Sequence, residues 1–83
     1  WDADLVACAA TALGHIKDKR AVEALVRGLK CDEWYARKKI VDALGEIGDA
    51  SAIEPLKPLV EDKDERVRKA ATEALKKLSA ARN

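Results

Sequence analysis

Eighty-three residues allow a single domain with a modest core, and the Ala, Leu, Lys, Glu and Arg that dominate the chain favour helices over sheets. Sixteen Lys plus Arg against 15 Asp plus Glu leave a net charge of +1, so charge gives no case for nucleic acid or for an anionic membrane surface. No apolar run approaches the ~20 residues of a membrane span. The start, Trp1-Asp2-Ala3-Asp4, carries no signal-like pattern, and two cysteines are too few for a disulfide framework.

The first helix is predicted over residues 3–16, with Leu5, Ala9, Ala12, Leu13 and Ile16 on its core face. Val6 and Ala10 flank that stripe and are expected to face a partner outside this sequence. Gly14 lies where a helix end favours a left-handed residue, and Asp18 stands ready to cap the next helix. That second helix is predicted over residues 19–30, with Val22, Leu25, Val26 and Leu29 inward.

The segment Ala12-Leu13-Gly14-His15-Ile16-Lys17-Asp18 then returns as Ala43-Leu44-Gly45-Glu46-Ile47-Gly48-Asp49, with every residue number advanced by the same step that carries Ala12 onto Ala43. The third helix repeats the first through Ala36, Ile40, Ala43, Leu44 and Ile47. Gly45 and Asp49 take the roles of Gly14 and Asp18. The fourth repeats the second, but Pro55 and Pro58 remove two amides, so it is expected to be short, kinked or preceded by a separate turn. A fifth repeats the first again through Val67, Ala71, Ala74, Leu75 and Leu78. Each hairpin carries an apolar stripe it cannot bury alone, so hairpins stack and share a core. The fold expected is all-α: an α-α superhelix, a right-handed solenoid of about two and a half hairpin repeats and five helices, as one domain over residues 1–83. The chain begins without Met and is expected to be a fragment or processed piece of a longer array. Apolar ends are expected to drive end-to-end self-association.

The segments Val67-Arg68-Lys69-Ala70-Ala71-Thr72-Glu73-Ala74-Leu75 and residues 43–56 resemble HEAT repeats, in the short Ala-Leu-Gly-rich form also found in phycobilisome-lyase-like proteins. The resemblance implies that the Val-Arg-bearing helices line a concave face and the others a convex one. It also implies that Arg37 and Arg68 pair with turn aspartates, with Asp62 or Asp64 the candidates for Arg68. Val6 departs from this pattern, standing where an arginine is expected.

Trp34 and Tyr35 open the middle concave helix outside its core stripe, and two rim aromatics suit a binding hot spot. Lys38, Lys39, Asp42 and Glu46 continue that face, joined by Glu65, Arg66, Lys69, Glu73 and Lys77. Their mixed signs favour surface pairs such as Lys38–Asp42, Lys69–Glu73 and Glu73–Lys77. Cys8, His15 and Cys31 fall short of a zinc set, nothing orients a Cys–His nucleophile, and one His excludes the paired His-Glu ligands of HEAT-repeat di-iron hydroxylases. The expectation is a non-catalytic, cytoplasmic scaffold with no cofactor and no metal. It binds a protein partner through Trp34, Tyr35, Lys38, Lys39 and Asp42. The alternative, implied by the resemblance, is an accessory subunit of a phycobilisome-type chromophore lyase or isomerase.

Overall fold

The computed structural model describes residues 3–16 and 20–82, apart from the side chains of Ala3, Ile16, Ala81 and Arg82. Helices α1 (Ala3–Ile16), α2 (Ala21–Gly28), α3 (Trp34–Ile47), α4 (Ile53–Leu56) and α5 (Glu65–Arg82) follow in order, with no strand among the described residues. The all-α repeat solenoid read from the sequence period is the architecture observed.

The fourth element shows what two prolines do. A 3-10 turn at Ala50–Ala52 leads into the four residues of α4, and a second 3-10 stretch, Lys57–Glu61, carries Pro58 in its first turn. Pro58 has no amide to return to the carbonyl four residues back, so the chain tightens into i→i+3 bonds instead. Asp49 caps the segment as expected, its Oδ1 accepting from the Ser51 amide at 3.0 Å. The matching cap, Asp18, lies outside the described residues.

The core joins Ala10, Val22 and Leu25 of the first hairpin to Ile40, Val41 and Leu44 of α3 and to Ile53, Leu56, Ala71 and Leu78 beyond. Helix α3 is the middle of three parallel first-type helices and buries two faces, so Ala36, Arg37, Ile40, Val41, Ala43 and Leu44 are all inside. Among the described residues, helix α1 has a first-type neighbour on one side only. Of the stripe expected to be buried, Leu13 packs on the core, but Leu5 is 67% exposed and Ala9 and Ala12 face outward, while Ala10, 1% exposed, and Val6 pack inside in their place. The Ile16 side chain lies outside the described residues. Val6 and Ala10 thus serve the chain's own core.

The glycine expectation is also corrected. Gly14 and Gly45 do not take left-handed conformations; that role belongs to Gly48, at φ 75°, which ends α3 by donating to the Leu44 carbonyl. A β-carbon on Gly14 would stand 3.1 Å from Ala43 Cα, and one on Gly45 would stand 3.3 Å from Ala74 Cβ. These two glycines therefore let successive first-type helices approach backbone to backbone. In the second layer an open cleft lined by Val22, Val26, Ser51 and Pro55 separates α2 from α4.

Candidate partner-binding face

The same small residues that bring the first-type helices together leave shallow troughs on their outer surface. Between α1 and α3 runs a trough of about 140 Å³, floored by Gly14 and Ala43 and walled by Thr11, His15, Lys39, Asp42 and Glu46. Between α3 and α5 a second, of about 220 Å³, is floored by Gly45, Ala70 and Ala74 and walled by Asp42, Glu46, Glu73 and Lys77. Asp42 and Glu46 wall both, so α3 forms a charged ridge between two small-residue floors.

The five predicted site residues divide into two groups. Lys38, Lys39 and Asp42 lie on the ridge or its flanks; Lys38 pairs with Asp42 at 3.0 Å, and Lys39 overhangs Ala7, Cys8 and Thr11. Trp34 and Tyr35 stand half-buried at the end of the face, where other parts of the chain engage them. The Arg66 guanidinium lies 3.4 Å from the Trp34 ring centroid, and Asp64 holds it there through a two-pronged pair at 3.1 and 2.9 Å. That pairing draws the Asp64 carboxyl down to about 2. The Tyr35 hydroxyl donates to Asp4 Oδ1 at 2.9 Å, a bond to the neutral phenol that, with nearby negative charge, pushes its ionisation up to about 12. The two rings meet edge-on at 6.0 Å. Asp4, Tyr35 and Arg66 occupy one repeat position in three successive copies, and the chain of contacts through them laces the three first-type helices together. The aromatic pair is thus part of the stack's own stitching.

Beneath the rim lies a buried ion pair. Arg37 forks onto Asp62, Nε to Oδ2 at 3.0 Å and Nη2 to Oδ1 at 3.1 Å, while Nη1 donates to the carbonyls of Cys31 and Asp32 at 2.8 and 2.7 Å. Both side chains are almost wholly enclosed, at 7% and 9% exposure. The pairing implied for Arg68 is corrected: the Asp62 carboxylate belongs to Arg37 and that of Asp64 to Arg66, so Arg68 donates to the Asp62 main-chain carbonyl at 2.7 Å. Cys31 and Val6 hold, one repeat earlier, the positions of Asp62 and Arg37, so the first repeat carries an apolar pair of residues where the second carries an ionic one.

Surface pairing differs in detail as well. Lys69 reaches back to Glu65 at 3.3 Å, and Glu73 meets Lys76 at 3.9 Å, in place of Lys69–Glu73 and Glu73–Lys77. Both observed pairs set the acid N-terminal to the base, the orientation favoured on a helix. Sequence reasoning missed the trough walls contributed by Thr11 and His15, of which His15 enters it only for metal and nucleophile chemistry. The repeat register carries that signal, since it aligns Thr11 and His15 with Asp42 and Glu46. Among the described residues no three His, Cys, Asp or Glu side chains gather as a metal set. None of the described helices is long and apolar enough to cross a membrane.

The family model for HEAT repeats matches residues 1–81. Two curated relatives, each described as "Bilin biosynthesis protein PecE" and coming from Mastigocladus laminosus and Nostoc sp., are 40% identical over 68 residues. The match covers 81% of this chain and 25% and 27% of theirs, so the chain spans about a quarter of their length. The constant sequence period, the helical hairpins stacked in that period and the match over nearly the whole sequence agree, and the chain belongs to the HEAT-repeat family.

Proposed function

We propose that this chain is a non-catalytic scaffold that holds a protein partner on its α1/α3/α5 face, in a reducing, cytoplasmic setting. The observation that carries the reading is the charged ridge of Lys39, Asp42 and Glu46 between two troughs floored by glycine and alanine. Such floors admit the side chains of an apposed segment, and ridge charges of both signs select a partner with complementary charges. Lys39 and Glu46 are exposed and rigidly presented, since their helix is packed on both sides. Trp34 and Tyr35 support the site by holding the three helices in register, and they border it.

The test is charge reversal on the ridge. Lys39→Glu combined with Glu46→Lys is expected to weaken binding to partners recovered on the immobilised chain by about tenfold, ~1.4 kcal/mol, with thermal stability unchanged. Unchanged affinity would remove the ridge from the interface. Trp34→Ala is expected to lower stability at the same time as binding, because it takes the platform from under Arg66.

A second reading has a specific observation behind it: both curated relatives are named for bilin biosynthesis. In that reading the chain acts as part of an accessory subunit of a phycobilisome-type chromophore lyase or isomerase, and the face would contact the bilin or its carrier protein. Titrating a bilin into the chain and following the visible band separates the two. A saturable shift favours the second reading, and an unaltered spectrum favours the first.

A further inference from the structure

Successive first-type helices mate through two columns that recur once in every repeat. One column looks forward: Gly14 seats against Ala43, and Gly45 against Ala74. The other looks back: Ala36, Ile40 and Ala43 of α3, and Val67, Ala71 and Ala74 of α5, are all buried. On α1 the backward column is Leu5, Ala9 and Ala12, and there it is exposed. On α5 the forward column departs from its pattern. Lys76 stands where Gly14 and Gly45 stand, and exposed Thr72 where Ala10 and Val41 are buried.

From this difference we propose that the stack is polar: the α1 end accepts a further helical hairpin of the same repeat length, whereas the α5 end rejects one in that register. The occupant of the α1 end is defined by the interface it would continue. It is a hairpin whose first-type helix sets a glycine against Ala12, as Gly14 is set against Ala43. At the α5 end even a β-carbon in the glycine position would crowd the next helix, as it would at Gly14 and Gly45, and lysine adds a long side chain beyond that β-carbon. Arg68 and Leu75 keep the repeat pattern, so the obstruction is local to Thr72 and Lys76. The same geometry disfavours head-to-tail self-association, which would press Lys76 of one copy against Ala12 of the next.

The proposal is tested on the whole chain with one hairpin added in phase. A copy of residues 34–64 placed directly ahead of Ala3 sets its own glycine, from position 45, opposite Ala12. This chain is expected to unfold in one transition, with a midpoint raised by on the order of 5 °C or more. Ala12→Arg should remove that gain, yet leave the midpoint of the original chain unchanged, since Ala12 is exposed there. At the other end, a copy of residues 52–82 placed after Arg82 should raise the midpoint only when Lys76→Gly is also present. Equal gains at both ends without Lys76→Gly would overturn the polarity. Loss of equal size from Ala12→Arg in the original and extended chains would overturn the acceptor face. Concentration-dependent dimerisation of the original chain that Ala12→Arg abolishes would also overturn it, by showing that the face mates with a second copy.

Discussion

Replacing Arg37 with methionine is expected to destabilise the chain by about 3–5 kcal/mol. The loss comes from what remains. The Asp62 carboxyl would be left in a site that is 9% exposed, without the fork that compensates its lost hydration. The carbonyls of Cys31 and Asp32 would lose their shared donor as well. Asp62→Ala should cost a similar amount by stranding the guanidinium. The protein itself supplies the control, since the first repeat manages with Val6 and Cys31 at these positions. The double variant Arg37→Val with Asp62→Cys copies that arrangement, and it is expected to be more stable than either single change, because a buried pair removed as a unit leaves no orphan charge. Urea unfolding of the four chains gives the coupling energy directly. A double variant as unstable as the sum of the singles would contradict this account.

Leu44→Ala is expected to cost about 2–5 kcal/mol, because Leu44 is fully buried at 0% exposure in the one helix that packs on both sides. Neighbours held by two interfaces cannot collapse far into the space, which places the value in the upper part of that range. Leu5→Ala removes the same atoms from a side chain 67% exposed and is expected to change stability by less than about 0.5 kcal/mol. The contrast separates burial from composition, and thermal or urea unfolding of both variants measures it. Equal losses would mean that α1 presents a different face to the core.

The contrast also marks where sequence reading stopped. The repeat period, the extent of α1, the capping role of Asp49 and the disruption at Pro55 and Pro58 are local or periodic features, and each carries its own chemistry. The second helix, expected over residues 19–30, is the shorter Ala21–Gly28. Which face of α1 is buried has a different origin. A first-type helix bears two apolar columns, and the middle copy buries both. An end copy buries only the one that looks into the stack, and the direction of stacking is a property of neighbours, not of the helix. Gly14 and Gly45 were misread for the same reason: glycine serves helix ends and close crossings alike, and only Ala43 and Ala74 opposite them decide which.

Ridge residues Lys38, Lys39 and Asp42 were legible because they fall outside the core stripes of their helix. For Trp34 and Tyr35, residue type suggested an open contact surface, whereas the fold supplies Arg66 and Asp4 as internal partners. That outcome could have been drawn from the repeat itself, since Asp4 and Arg66 are the copies of Tyr35 one period back and one period on. The Arg37–Asp62 bond, spanning 25 residues, is the pairing of an arginine with a turn aspartate that the HEAT resemblance implies, whereas the choice of Asp62 and the near-complete burial of the pair come from the packing around them.

Side-by-side stacking of the first-type helices at a constant register underlies the troughs, the ridge and the polarity alike. Nuclear Overhauser contacts in the labelled chain test it most directly. The account predicts cross-peaks from the Gly14 α-protons to the Ala43 methyl and from the Gly45 α-protons to the Ala74 methyl, with none linking Gly14 to α5. Contacts between Gly14 and residues of α5, as in a closed bundle, would contradict it.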